Sequence, residues 1–350
     1  MNPFRPYIVE DAWAESTDIS GIAHDVTEEV LKRIEYVRDD GIGRAVLILA
    51  QQGAGKTHFL MRLRRLAEKP VAGRPPFFFS YVPPFIKPDD AHLHFLDSLV
   101  TSLRRGESGG KLAFRKLICS ALLNHSVFGD GKLLPPSVDG GVQGFVEKSL
   151  HSMQKQSRAF PKDLSSLLKA MFCSEKADCA LDALTGSPLH ADDLSLLKMD
   201  ADFSGDRAWQ VISGLGVLAR HSGPLVIGLD QIETIEGTGH ENALEAFSEL
   251  MSGLRSHMGS SVMVFTCLLD RWNSGFKDIF EKMGLMDWFG DAVFTLKAPE
   301  PSQLKELVEA RNLESKGLSI DDSQFREIVK RARTPREFLR ECAKLYDGTE

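Results

Sequence analysis

The chain has 350 residues, 43% of them apolar and 26% charged, with a formal net charge of −7 at pH 7. This fits a soluble globular protein with room for two or three domains, and it excludes a surface that is basic everywhere. A local nucleic-acid patch stays open, because such binding follows the distribution of charge rather than its sum.

Residues 1–43 read as an N-terminal entry segment. Its start, Met1-Asn2-Pro3-Phe4-Arg5-Pro6, has no apolar core of the kind a secretory signal needs. Asp18-Ile19-Ser20-Gly21-Ile22 follows. Val26, Val30, Ile34 and Val37 then recur at helical spacing and predict an amphipathic helix from about Asp25 to Val37, broken by the stretch Arg38–Gly43.

The β-rich run Ala45-Val46-Leu47-Ile48-Leu49 leads through Ala50-Gln51-Gln52-Gly53-Ala54-Gly55-Lys56-Thr57 into the helical pattern His58-Phe59-Leu60-Met61-Arg62-Leu63. A strand, a small-residue loop and a helix N-terminus make an anion site. Backbone N–H groups across Gln52, Gly53, Ala54, Gly55, Lys56, Thr57 and His58 can wrap the phosphates of a nucleotide. Lys56 reaches the terminal ones, and Thr57 can hold Mg²⁺. Ala50 stands where this pattern usually opens with Gly. Gly53 and Gly55 matter more, since a Cβ there would crowd the phosphates or penalise a left-handed backbone.

A helix to about Lys69 ends at Pro70, and Phe77–Val82 reads as a second buried strand, cut off by Pro83-Pro84. Roughly 85–205 is mostly helical, with faces at His94–Leu103, Leu112–Leu123, Phe145–Met153 and Leu164–Phe172. Gly-rich breaks fall at Gly106–Gly110 and Gly129–Gly144. A helix from about Arg207 to Arg220 leads back to strands at Leu225–Leu229, Val262–Thr266 and Ala292–Leu296. Strands alternating with helices imply an α/β fold with a parallel sheet covered on both faces. From Pro301 three short helices follow without a further strand. The expected division is an entry segment (1–43), a core (44–300) with a helical insertion at about 85–205, and a helical lid (301–350).

The strand Leu225–Leu229 ends in Asp230-Gln231-Ile232-Glu233. A carboxylate at the C-terminal tip of such a strand is placed to coordinate Mg²⁺ beside a phosphate loop. Gln231 can orient a water but cannot take its proton at neutral pH, and Glu233 supplies a carboxylate if the chain turns there. Thr266, near the end of the next strand, either senses a γ-phosphate or faces the core. Arg271 is either a surface residue or a finger reaching into a neighbouring subunit. In Arg333-Thr334-Pro335-Arg336, Pro335 starts a helix and puts Arg336 in its first turn, where it can fold over the γ-phosphate.

With these residues in place the chain resembles the AAA+ ATPases and the neighbouring STAND ATPases. Ala50–Thr57 looks like Walker A, Leu225–Asp230 like Walker B, Thr266 like sensor 1 and Arg336 like sensor 2. The Asp-Gln-x-Glu ending is similar to STAND members. The Thr-Pro-Arg lid and Asp18–Ile22 are more like the origin-recognition and transposition-regulator branch of AAA+. Val211–Glu233 is also similar to bacterial phage-defence ATPases of the BREX type. The resemblance implies a P-loop NTPase sheet sandwiched by helices, with ATP and Mg²⁺ as cofactors. It further implies a homo-oligomer that acts as a motor or switch on a protein partner or DNA, in bacterial defence or mobile-element biology. Gln231, where the usual glutamate is expected, favours a second reading: a nucleotide-gated scaffold with little hydrolysis. Arg271 and Arg336 favour the enzyme. A small-molecule kinase does not account for the Thr-Pro-Arg lid.

Other signals lead elsewhere. Cys119, Cys173, Cys179, Cys267 and Cys342 are scattered without a CxxC pair, which fits a reducing cytoplasm and neither a zinc site nor a disulfide framework. No apolar run approaches bilayer length. His92 and His94 are two apart and share no helix face. Arg326, Lys330, Arg331, Arg333, Arg336 and Arg340 form one positive cluster, and Arg62, Arg64 and Arg65 a second. Each is either a solvated helix face or a phosphate-contacting patch.

Overall fold

The computed structural model describes residues 2–69, 76–85, 91–105, 112–128, 141–157, 160–173, 175–203, 205–238, 243–315 and 320–348. The Gly-rich break at 106–110 and residues 129–140 of the break at 129–144 lie outside the described residues, whereas Gly141–Gly144, expected as part of that break, are the first turn of a helix that continues to Gln156.

Five strands, β1 (Arg44–Ala50), β2 (Phe78–Val82), β3 (Leu225–Leu229), β4 (Ser261–Leu268) and β5 (Val293–Thr295), form one sheet in the order β2-β3-β4-β1-β5. Every pairing is parallel. The strands are apolar almost throughout because both faces are covered. Along β1, Ala45, Leu47 and Leu49 enter one core, while Val46, Ile48 and Ala50 enter the other, the period-two alternation of a strand.

Helices α1 (His24–Asp40) and α2 (Lys56–Glu68) cover the second face. The helix α1 runs past its expected end and stops at Gly41, whose left-handed backbone lets its N–H bond back to the Val37 carbonyl at 2.9 Å. The glycine within the expected breaking stretch is what ends it.

The first face carries the insertion between β2 and β3. It comprises α3 (Ala91–Arg105), α4 (Leu112–Phe128), α5 (Gly141–Gln156), α6 (Lys162–Ala170), α7 (Ala177–Leu184) and α8 (Ala191–Leu197). The helices α7 and α8 are absent from the sequence reading; at 8 and 7 residues they are too short for periodicity to stand out. The helix α9 (Ala208–Ser222) returns the chain to β3, and α4 lies along it. There Ser120 Oγ donates to the Ser222 carbonyl at 3.1 Å and Asn124 Nδ2 to the His221 carbonyl at 2.7 Å, satisfying groups at the α9 terminus.

The helix α10 (Ala243–His257) connects β3 to β4, which runs two residues beyond its expected end. Short helices α11 (Leu269–Arg271), α12 (Lys277–Lys282) and α13 (Met286–Phe289) precede β5. After β5 come α14 (Pro301–Ser315), α15 (Asp322–Arg331) and α16 (Pro335–Gly348), three helices as expected. A capping box from Asp321 and Gln324 starts α15. A third core joins these helices to Phe4 and Ile19 of the N-terminal segment.

Candidate nucleotide site

The connection from β1 runs to β2 on one side of the sheet, whereas β5 lies on the other. That reversal opens a crevice at the C-terminal ends of β1 and β4. Gln52, Gly53, Ala54, Gly55, Lys56, Thr57 and His58 all line it, joined by Gln231, Leu268 and Arg336.

Gly53 and Gly55 have φ of 80° and 101°, so the loop needs glycine at both. The first intrahelical bond of α2 runs from the Phe59 N–H to the Gly55 carbonyl at 2.8 Å, which leaves the N–H groups from Gly55 to His58 for a ligand, while the Ala54 N–H donates to the Gln51 carbonyl at 3.2 Å. Gly53 is constrained a second time by the C-terminal helices. Arg336 N–H makes a long hydrogen bond of 3.4 Å to the Gly53 carbonyl. A Cβ at Gly53 would lie 3.0 Å from Arg336 Cβ and 3.1 Å from Thr334 Oγ1. The start of α16 therefore rests on the glycine loop.

Gly228 sets the other half of the site. A Cβ there would fall 2.8 Å from Leu60 Cδ2, so the missing side chain lets α2 lie close against β3. The first turn of α2 thus meets Asp230. Pairing of Leu229 with Phe265 puts Asp230 level with Thr266 on the neighbouring strand. Asp230 is fully buried, and three hydroxyls hold its carboxylate. Thr57 Oγ1 donates to Oδ2 at 2.7 Å, Tyr81 OH to Oδ2 at 3.1 Å and Thr266 Oγ1 to Oδ1 at 2.5 Å. Thr266 also accepts the Gln231 N–H at 2.9 Å, so its hydroxyl is engaged beneath the cleft. Sequence reasoning does not single out Tyr81, whose phenol and the Ser80 hydroxyl are the polar groups of an otherwise apolar run. Burial, then the charge of Asp230, pushes that phenol up, so it stays a donor.

Gln231 has φ of 51°, uncommon for a residue with a side chain. Thr234 N–H closes the turn on the Gln231 carbonyl at 3.0 Å, and this turn brings Glu233 back under the site. The turn that a role for Glu233 requires is present. Its Oε2 is buried without a hydrogen-bond partner. Burial pushes the Glu233 carboxyl up, against its own backbone N–H, the charge of Lys56, the Leu268 N–H and the Cys267 thiol. Lys56 is buried too, and burial pushes its ammonium down against the charges of Glu233 and Asp230. One cation and two carboxylates share a volume of low polarity.

The cluster Arg62, Arg64, Arg65 corrects the sequence reading, since it is neither a solvated face nor an open patch. Arg62 and Arg64 are buried. Arg62 pairs with Asp18 at 2.6 Å and donates to the carbonyls of Ile19, at 2.8 Å, and Ile22. Arg64 pairs with Glu15 at 2.7 Å and Glu68 at 2.9 Å and lies over the Trp13 ring; Arg65 pairs with Glu15 at 2.6 Å. His58 Nε2 is 2.9 Å from Asp18 Oδ1. Burial works to raise the Asp18 carboxyl, but the hydrogen bonds from His58 and Arg62 outweigh it and hold it far below the usual carboxylate range.

The N-terminal segment also contributes Tyr7, Ile8, Val9, Ile19 and Ile22 to the cleft. Sequence reasoning missed this wall because the segment has no periodicity. Asp230, Glu233 and Thr266 lie below the cleft lining, and Arg271 is exposed on α11 outside it. In the other basic cluster, Arg326, Lys330, Arg331, Arg333 and Arg340 are exposed, with Arg331 paired to Glu327 at 2.7 Å. His92 and His94 face the backbone carbonyls of Gly205 and Pro83, each at 3.2 Å. Among the described residues no helix is long and apolar enough to cross a membrane.

These residues fit phosphates and Mg²⁺. The loop has room where Gly55 carries no Cβ, whose nearest neighbour would be His58 Cβ at 3.8 Å. Thr57 is bonded to a buried carboxylate, and an unpartnered carboxylate oxygen lies in the same region. No protein-family model matches the chain, and no curated protein does. Among solved structures it is similar to the Aeropyrum pernix ORC2 protein, solved as ADPNP–ADP complexes, at 13% identity and a TM-score of 0.44. The match covers 97% of this chain and 65% of that one, so this chain spans just under two thirds of its length. Strand order, register and loop geometry give the chain the α/β fold of P-loop NTPases, with a helical insertion between β2 and β3 and three helices after β5.

Proposed function

We propose that the chain is an ATP-binding, AAA+/STAND-like ATPase that works as a motor or nucleotide switch and regulates assembly with a protein partner or DNA. The observation that carries this reading is the grouping of Lys56, Thr57, Asp230 and Glu233 beneath a glycine loop on which Arg336 rests. Residues 52–58 hold the phosphates through the N–H groups not engaged within the loop, and Lys56 binds the terminal ones. Thr57 and Asp230 hold Mg²⁺, which when bound neutralises charge on the transferred phosphoryl group. Glu233, a buried carboxylate with raised proton affinity and a free acceptor oxygen, takes the proton of the attacking water. Thr266 fixes Asp230, and Arg336 contacts the γ-phosphate from the lid at 301–350. Arg271, being exposed, serves a neighbouring subunit of a homo-oligomer. The insertion receives the partner, and the setting is the cytoplasm, in bacterial defence or mobile-element biology.

Gln231 favours the second reading, a nucleotide-gated scaffold, because the residue next to Asp230 lines the cleft and cannot accept a proton. ATP binding and turnover of Glu233→Gln separate the two. The enzyme reading expects retained ATP and lost hydrolysis. A wild-type rate transfers the role to Gln231 or a partner residue, and no turnover in the unmodified chain selects the scaffold. Light scattering with and without a slowly hydrolysed ATP analogue tests nucleotide-driven assembly.

A further inference from the structure

The three hydroxyls on Asp230 are not equivalent. Thr57, in the reading above, belongs to the shell of the ion. Thr266 divides its hydroxyl between Asp230 Oδ1 and the Gln231 N–H. Tyr81 gives its phenol to Asp230 Oδ2 at 3.1 Å. When Thr57 turns its oxygen to a cation, Tyr81 and Thr266 are the donors left, one for each carboxylate oxygen.

The backbone around Tyr81 is held as firmly as its phenol. Tyr81 pairs with Gly228 in the β2–β3 register, and Asp230 N–H donates to the Val82 carbonyl at 3.0 Å. On its other side, Tyr81 N–H donates to Ser102 Oγ of α3 at 2.7 Å. Tyr81 is therefore fastened by its phenol to the residue that follows β3 and by its backbone to the first helix of the insertion. A buried tyrosine could instead be parking its hydroxyl on the nearest acceptor. That role would contribute stability and nothing to the ion.

We infer that Tyr81 is a positioning residue for the Mg²⁺ site, holding the Asp230 carboxylate in the orientation that binds the ion. The inference rests on the assignment of Thr57 and Asp230 to Mg²⁺. Partners of this kind, one shell beyond the metal, typically govern affinity by 10–100-fold when removed.

The test is a Mg²⁺ titration of nucleotide binding, using a fluorescent ATP analogue and the full chain. In the wild type Mg²⁺ tightens binding; if it has no effect, the Mg²⁺ assignment itself fails. Given that tightening, Tyr81→Phe, which keeps the ring, should raise the Mg²⁺ midpoint about tenfold or more and leave Mg²⁺-free affinity unchanged. Ser102→Ala, which releases the Tyr81 backbone, should move the midpoint in the same direction by less. In an Asp230→Asn background, Tyr81→Phe should add nothing. A wild-type midpoint in folded Tyr81→Phe overturns the inference, even if the variant melts earlier. If Tyr81→Phe does not fold, a wild-type midpoint in Ser102→Ala overturns it.

Discussion

Replacing Gly53 by alanine probes the seating of the C-terminal helices on the glycine loop. Two costs add in that variant. A left-handed backbone costs a residue with a side chain about 1–2 kcal/mol, and φ at Gly53 is 80°. The new Cβ would also sit 3.0 Å from Arg336 Cβ, an atom fixed to the α16 backbone that cannot swing away. Overpacking of that kind costs about 1–3 kcal/mol. Arg336→Gly alone should cost no more than about 1 kcal/mol, the helix-propensity difference. In the double variant the contacts with Arg336 disappear and only that with Thr334 Oγ1 at 3.1 Å remains, so the two changes should fall short of additivity by up to about 1–3 kcal/mol. Gly55→Ala is the control, because its Cβ meets nothing closer than His58 Cβ at 3.8 Å and should be additive with Arg336→Gly. Equilibrium urea unfolding of the single and double variants measures both cycles. Additivity within about 0.5 kcal/mol for Gly53 with Arg336 would refute the packing of α16 on the loop.

Asp18→Ala should destabilise the chain by about 3–5 kcal/mol, because it strips a buried guanidinium of its partner. The Asp18 carboxyl is lowered in the folded chain, so its contribution is complete above the unfolded value of about 3.9 and is lost as pH falls through the folded one. The wild-type advantage over the variant should therefore shrink in acid melts and stay constant above about pH 5. Lys56→Ala should lower affinity for ATP and ADP alike, roughly tenfold or more, whereas Arg336→Ala should erase only the preference for ATP; calorimetry that finds either profile unchanged in a folded variant removes that assignment. If Glu233 is the base, turnover should fall as pH drops, with a midpoint above the ordinary glutamate value of about 4.3, because burial raises its carboxyl. A pH–rate profile without such an acid limb assigns the proton elsewhere.

The parts of this molecule legible in sequence are those whose signal is local. A strand buried on both faces must be a continuous apolar run, so Ala45–Leu49 and Leu225–Leu229 declare themselves. The glycine loop is equally local, since its glycines answer to backbone angles within one turn. The Tyr81 contact with Asp230 depends on β2 lying beside β3, which no window of sequence states. The arginines of α2 were misread for a related reason. Three cations on one helix look solvated until residues 15 and 18 return to cover them. Glu233 was legible only conditionally, because its place hangs on one left-handed residue, Gln231.

Those arginines also decide how the cleft is built. Arg62 and Arg64 are buried against acidic partners that come from the N-terminal segment. Undocking that segment would leave the Arg62 guanidinium in a poorly solvated place, at several kcal/mol for that broken buried pair, whereas Glu15 is exposed and Arg64 keeps its pairing with Glu68. The same segment is fastened at the far end, where Asn2 Nδ2 donates to the Ala343 carbonyl at 2.9 Å and to Asp347 at 2.8 Å, and Phe4 enters the core of the C-terminal helices. Tyr7, Ile8 and Val9 lie between these two anchors and line the cleft. Their position is set by contacts that involve no ligand, so a molecule entering the cleft does not have to order them. The entropy of arranging that apolar wall has been met by folding, and binding there gains what a preorganised surface offers over a loop that closes afterwards.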